Sequence, residues 1–216
     1  HTYTIPGSYT VIITGTLIGW GYFVNTSHST NRLGDSRSDM QGWLTIQPQA
    51  SKLTSIHDWE ALRFTDDAYF QFYSTMNLTG VPAVMFNVPL GGSIKNAFGA
   101  TATGLAFALT NNNMISGWDM SPVKDMRNLF SYMGYETALD IDFDVSNWDV
   151  SNVTGMQGVF QSCMDWDNGG SPGISGWDTS NVLTMREMFD STSFNQDIGA
   201  WDVSNVTNMQ GIFKVL

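Results

Sequence analysis

A single cysteine, Cys163, among 216 residues excludes an intramolecular disulfide framework, so stability has to come from packing. Charge is scarce as well. Asp, Glu, Lys and Arg make up only 13% of the chain, against roughly 25% in an ordinary globular protein, so Asn, Ser, Thr, Gln and Gly must cover the surface. Positive charge is scarcest: nine Lys plus Arg stand against twenty Asp plus Glu, a formal net charge of -11. Phosphate backbones demand a positive footprint, so no nucleic acid partner is expected, and an anionic membrane surface is disfavoured for the same reason. No apolar run approaches the roughly 18 residues that suggest a spanning helix, so no membrane insertion is expected. The three histidines, His1, His28 and His57, share no spacing with a cysteine or carboxylate cluster, which leaves no zinc motif or catalytic triad. With no phosphate loop either, the chain reads as no enzyme.

What the chain does have is apolar. Hydrophobic residues make up 42% and aromatics 13%, enough for a sizeable core. A polar surface low in charge is the palette of secreted or virion proteins, so the expected location is extracellular, on a cell surface or on a virion. The chain starts at His1 with no initiator Met and no basic, apolar leader, and is read as a fragment.

Four segments superimpose on one pattern: GWDMSPVKDMRNLF from Gly117, NWDVSNVTGMQGVF from Asn147, GWDTSNVLTMREMF from Gly176 and AWDVSNVTNMQGIF from Ala200. Their anchors Trp118, Trp148, Trp177 and Trp201 are 30, 29 and 24 residues apart, and a repeat of this length signals stacked units. After each Trp the apolar set comprises Val123, Met126 and Phe130; Val153, Met156 and Phe160; Val182, Met185 and Phe189; and Val206, Met209 and Phe213. Steps of three and four place these on one face of a short helix, with Ser121, Ser151, Ser180 and Ser204 as its N-caps. Ile115, Val145, Ile174 and Ile198, three before each Trp, read as a short strand. One unit alone cannot bury its stripe, so neighbours must stack Trp, Met and Phe into ladders. The expected fold is an α/β repeat: a solenoid of leucine-rich-repeat type, with a short strand and a short helix per 24-30 residue unit. It occupies residues 51-216 and follows a β-rich N-terminal segment at 1-50. Upstream, Ile94, Ala97 and Phe98 form a degenerate copy of the helix face.

The run FNQDIGAWDVSNVTNMQGIF from Phe194 to Phe213 resembles the signature of BspA-like leucine-rich-repeat surface proteins, which implies a solenoid fold and adhesion as a class of function. HTYTIPGSYTVIITG, residues 1-15, is similar to the closing strands of the PKD-like (polycystic-kidney-disease-like) β-sandwich. Alternation at Tyr9, Val11 and Ile13, with Pro6-Gly7 as a turn, independently supports a hairpin-like strand there.

Carboxylates offer the main site chemistry. Asp140, Asp142 and Asp144 alternate, so in a strand they face one side and could share calcium, a hard cation that takes several oxygens; otherwise no cofactor is expected. Asp165, Asp167 and Asn168-Gly169 match the first half of a calcium loop without its closing Glu. By contrast, Asp119, Asp149, Asp178 and Asp202 follow every Trp, and recurrence at each unit points to bonds with turn amides. Asn152-Val-Thr and Asn205-Val-Thr match the glycosylation pattern but sit inside the repeat, as folding elements. Cys163 reads as a buried, inert thiol. A ligand, an extracellular protein or glycan, would meet Tyr132, Tyr135, Asp140, Asp142, Trp166 and Asp167, in the insertions between units. The rival reading is a structural subunit of a virion appendage or extracellular filament. The last unit leaves its Val206, Met209 and Phe213 layer for further repeats or a second subunit to cover.

Overall fold

The computed structural model describes residues 79–83, 88–99, 114–133, 142–168 and 172–214, together with two short strands at 15–17 and 62–64. These strands, β1 (Gly15–Leu17) and β2 (Leu62–Phe64), pair in parallel, Gly15 opposite Leu62 and Leu17 opposite Phe64. The hairpin expected at Tyr9, Val11 and Ile13 lies outside the described residues.

Downstream, β3 (Gly92–Ser93) pairs in parallel with β4 (Val123–Asp125). Parallel bridges then carry the pairing onward, Asp125 to Gly155, Gly155 to Thr184 and Thr184 to Asn208. Consecutive repeats therefore lie side by side and run in the same direction, each forming one rung. Ile94, Asn96 and Phe98 donate their amides to the carbonyls of Asp125, Arg127 and Leu129 at 2.9, 2.9 and 3.0 Å, which makes the upstream copy a full rung.

The segment expected to be helical is a run of turns, and the described residues contain no α-helix. Met126, Asn128, Phe130 and Tyr132 donate their amides across to the next rung, to the carbonyls of Gly155, Gln157, Val159 and Gln161 at 3.1, 2.8, 3.0 and 2.7 Å. Between them, Leu129, Ser131 and Met133 donate to the carbonyls three residues back, at 3.2, 3.3 and 3.0 Å. Alternate amides thus close local turns and join rungs. What stops a helix is backbone handedness: Asn96, Asn128, Gly158, Glu187 and Gly211, one per rung at the same position, have φ between 54° and 65°. Tyr132, Ser162 and Ser191 repeat this four residues after Asn128, Gly158 and Glu187, at 60°, 58° and 58°. A right-handed helix cannot pass through such a residue.

The strand is displaced too. It was expected before each Trp, but Met114 to Gly117 is a turn and the parallel pairing lies after the Trp, at β4 and its equivalents. Ile174 lies within a 3-10 helix, Pro172–Gly176. The aliphatic residue serves its rung otherwise: the carbonyls of Ile115, Val145, Ile174 and Ile198 accept the amides of Trp118, Trp148, Trp177 and Trp201 at 3.1, 3.1, 3.1 and 3.0 Å.

The ladder positions share one continuous core. Val123, Met126 and Phe130 are fully buried, as are Val153, Met156 and Phe160, and Val182, Met185 and Phe189 are buried to the same degree. Phe98, Phe130, Phe160 and Phe189 stack in succession with centroids 6.1 Å apart at each step. Trp118 lies parallel to Trp148 at 6.3 Å, and Trp177 to Trp201 at 6.1 Å. Each such ring pair adds about 0.5–1.5 kcal/mol to the area it buries.

A second aromatic column lies beside the first. Phe143 meets Phe130 edge-on at 4.9 Å, Trp166 lies on Phe160 at 3.6 Å and Phe194 on Phe189 at 4.1 Å. These three sit on the return legs of the repeats, and their offset from the Trp anchor differs in every unit because the insertions differ in length.

Candidate functional site

The recurring polar residues hold the rungs together. Asp119, Asp149, Asp178 and Asp202 accept, through Oδ1, the amides of Ser121, Ser151, Ser180 and Ser204 at 3.0, 3.0, 3.0 and 2.9 Å. The aspartates are therefore the caps, and the serines, read as N-caps, are what they cap. These bonds hold Asp149, Asp178 and Asp202 below the ordinary aspartate pKa. For Asp149 and Asp178 the serine hydroxyl contributes most, for Asp202 the Ser204 amide. A smaller opposing effect comes from the next carboxylate along the column: Asp178 raises Asp149, and Asp202 raises Asp178.

Two side-chain ladders tie the rungs of Trp148, Trp177 and Trp201 to their predecessors, whereas the Trp118 rung has Pro122 at the Asn position and sends its indole to the Pro82 carbonyl at 3.3 Å. The indole Nε1 of Trp148, Trp177 and Trp201 donates to the carbonyls of Ile115, Val145 and Ile174 at 2.8, 3.3 and 2.8 Å. The amide Nδ2 of Asn152, Asn181 and Asn205 donates to the carbonyls of Ser121, Ser151 and Ser180 at 2.9, 2.8 and 2.7 Å. The nitrogen that a glycan would require at Asn152 and Asn205 is thus engaged within the fold. Cys163 is fully buried, its thiol donates to the Phe130 carbonyl at 3.0 Å, and burial pushes its pKa up to about 12. A thiol held neutral in this way is no nucleophile.

What differs between rungs is the return leg. Residues 142–146 lie beside 164–168, which lie beside 193–196. The Asp167 amide donates to Asp142 Oδ1 at 3.1 Å, and the Trp166 indole to the Phe143 carbonyl at 3.0 Å. Asn168 bridges the same legs: its Oδ1 accepts the Val145 amide at 2.9 Å and its Nδ2 donates to Ser146 Oγ at 3.1 Å. On the other side, Ser193 Oγ donates to the Met164 carbonyl at 3.0 Å and the Asn195 amide to Asp167 Oδ1 at 3.3 Å. Burial alternates along these legs. Phe143, Val145, Trp166 and Phe194 point inward, while Asp142, Asp144, Asp165, Asp167, Ser193 and Asn195 lie on the outer side, half-buried or exposed.

Of the expected ligand-binding residues, Asp142 and Asp167 come together on this outer face. Trp166 does not belong there: it is fully buried between Phe160 and Phe194. Tyr132 lies in the turn run, half-buried, its amide bonded to Gln161. Tyr135 and Asp140 fall outside the described residues. Among the described residues no group of three His, Cys, Asp or Glu side chains could hold a metal ion. Asp142 Oδ1 is occupied by the Asp167 amide, and Asp144 Oδ1 accepts both the amide, at 2.8 Å, and the hydroxyl of Ser146. No described helix is long and apolar enough to cross a membrane.

The rung that opens at Trp201 is built like the others, and no further rung follows it among the described residues. Met209 and Phe213 are 42% and 50% exposed, whereas Met126, Met156, Phe130 and Phe160 are at 0%. Val203 is 43% exposed, against 0% and 1% for its equivalents Met120 and Val150.

Sequence reasoning missed the left-handed positions, the asparagine ladder and the second aromatic column. Glycine or asparagine in the middle of the supposed helix, at Asn96, Asn128, Gly158 and Gly211, was the available signal for the first, and the recurring Asn before Val for the second.

Residues 93–216 match a family model described as Mycoplasma protein of unknown function, DUF285. No curated protein and no solved structure matches the chain. The matched span opens at Ser93 in β3 and takes in every described rung from there on, more than half of the sequence, so the chain belongs to the DUF285 family.

Proposed function

We propose that the chain is a non-enzymatic recognition module displayed outside the cell, a leucine-rich-repeat-type solenoid of the BspA-like kind that binds an extracellular protein or glycan. One observation carries the reading. The Asp, Ser, Asn and indole groups that recur from Trp148 onward bond to one another or to backbone, while the return legs present unlike sets of acidic and amide side chains, with Asp165 exposed among them. Stacked repeats offer extended surfaces, and the residues that vary from unit to unit are the ones free to specify a partner. The outer face with Asp142, Asp165 and Asp167 suits ligands rich in hydroxyl or cationic donors.

The test is a screen of the chain against arrayed glycans and extracellular-matrix proteins, followed by Asp165→Asn. Asp165 is exposed, so the substitution should leave the melting temperature unchanged and weaken the ligand found. Failure to bind across the panel, or binding indifferent to Asp165, rejects the proposal. A structural subunit of a virion appendage or filament is the second reading, favoured by rungs that all run in the same direction, a head-to-tail arrangement that can propagate. Regular fibres or particles in negative-stain micrographs would support it.

A further inference from the structure

The turn runs around Phe160 and Phe189 hold a polar cluster that recognition at the return legs does not use. Asp190 is only 2% exposed. Its carboxylate accepts the Ser191 hydroxyl at Oδ1, at 2.7 Å, and the Gln161 carboxamide at Oδ2, at 3.3 Å. No Lys, Arg or His of the described residues pairs with it. The same Gln161 Nε2 lies 3.4 Å from Glu187 Oε2, and the other oxygen of Glu187 accepts Arg186 Nη2 at 3.1 Å. Against the two carboxylates stands one guanidinium, which leaves one negative charge. Ser162, beside them, is fully buried and its hydroxyl has no partner. The Ser162 amide donates to the Asp190 carbonyl at 2.8 Å, and Ser162 and Ser191 share a φ of 58°. The unpartnered hydroxyl therefore stands in register beside the one that bonds Asp190. At the oxygen end of Gln161, Gly158 leaves space: a Cβ there would come within 3.4 Å of Gln161 Oε1 and collide with Asn128 Oδ1.

We propose that this cluster is a site for a monovalent metal cation, sodium or potassium, held between the rungs by Asp190, Glu187, Ser162 and Gln161. A buried carboxylate without a counter-charge is strongly unfavourable, and the neutral partners of Asp190 supply none. A water molecule would satisfy the Ser162 hydroxyl and leave the charge. Calcium would over-neutralise the cluster, and it takes about six to eight oxygens, more than these four side chains bring with one donor each. One positive charge balances the cluster, and carbonyl-type and hydroxyl oxygens are what such an ion accepts in exchange for its water. Half a turn of the Gln161 amide presents Oε1 to the ion in place of Nε2, whose contacts with the two carboxylates are long for hydrogen bonds. Lys214 is the alternative counter-charge. Its carbonyl accepts the Ser191 amide at 2.8 Å, but its side chain is exposed and makes no ion pair among the described residues.

The test compares thermal melts of the full chain in sodium, potassium and tetramethylammonium chloride at equal ionic strength, which holds screening constant. Tetramethylammonium is too bulky for the cluster. With sodium or potassium tenfold above its dissociation constant, the chain should melt roughly 3–6 °C higher than in tetramethylammonium, by linkage. Sodium-23 relaxation should show saturable binding, and competition by potassium ranks the two ions. Asp190→Asn keeps the shape and removes the charge, so this variant should melt alike in all three salts and, in tetramethylammonium, no lower than the parent. Ser162→Ala removes a hydroxyl that bonds to nothing else in the fold and should weaken sodium binding severalfold. Equal melting of the parent in the three salts, a difference that survives Asp190→Asn, or an affinity indifferent to Ser162→Ala overturns the proposal. A response that arises only after Lys214→Gln assigns Asp190 to the lysine and overturns it too.

Discussion

Replacing Gly158 by Ala separates the turn-built rung from a helical one by the sign of the stability change. In the middle of a helix, Gly→Ala stabilises by about 1 kcal/mol, because alanine has less chain entropy to lose. Gly158 has φ +59, where a residue with a Cβ costs roughly 1–2 kcal/mol. The new Cβ would also collide with Asn128 Oδ1 of the preceding rung, so that side chain must rotate away. Gly211, at φ +65, is the control for backbone strain alone, since the nearest atom to its added Cβ is Glu187 Cγ at 3.4 Å. For a chain of this size 1 kcal/mol moves the melting temperature by about 2–4 °C. Gly158→Ala should therefore lower it by roughly 2–8 °C or more, and Gly211→Ala by less. Thermal melts followed by tryptophan fluorescence read both. A rise of a few degrees for Gly158→Ala would refute the left-handed assignment and restore the helix.

Other perturbations address other layers. Trp148→Ala removes a ring stacked on Trp118 and the donor to the Ile115 carbonyl; truncation of a core Trp costs about 3–5 kcal/mol, hence a drop of roughly 6–20 °C, and a melt within about a degree of the parent would remove the indole ladder from the account. Ser180→Ala should raise the pKa of Asp178 toward the ordinary aspartate value, read by NMR titration, because the Ser180 hydroxyl is the largest cause of its depression. The sign follows for stability: folded values depressed at Asp149, Asp178 and Asp202 add stability that is complete above the ordinary aspartate range and is lost as pH falls through the lower folded values. Acid melts of the parent should show that loss, and a stability that stays flat through the range would contradict it. Chelation should leave the melting curve unchanged, because Asp142 and Asp144 already accept bonds from the chain; a lower melting temperature in chelator would reveal a calcium ion bound only by the folded state.

The buried identities were legible from periodicity, but the backbone that buries them was not. Val, Met and Phe at steps of three and four suit one helix face. They suit equally a chain that makes a turn every few residues and hands alternate amides to its neighbour, as Met126 and Phe130 do. Apolar spacing does not choose between these. Glycine and asparagine at Gly158, Gly211 and Asn128 do, through the positive φ they adopt. The structural role of Asp119 and its equivalents followed from recurrence alone and holds in the hydrogen bonds. Trp166 misled because it stands among Asp165, Asp167 and Asn168, polar neighbours that suggest a surface. On an extended leg its side chain faces the other way and enters the core, where Phe160 and Phe189 stack against it. Phe143 and Phe194 were hidden by insertions of unequal length, which erase any fixed offset from the Trp.

Hydrogen exchange at one set of equivalent amides tests the stacking most directly. The amides of Gly158 and Phe160 bond to the carbonyls of Arg186 and Met188 in the next rung at 2.9 and 3.2 Å, whereas Gly211 and Phe213 hold the same positions with no following rung among the described residues. If rungs protect one another, Gly158 and Phe160 should exchange only in large openings, and Gly211 and Phe213 nearly as fast as in an unfolded chain. Equal protection at Gly158, Phe160, Gly211 and Phe213 would mean that each segment bonds within itself, as a helix does, and would contradict the ladder.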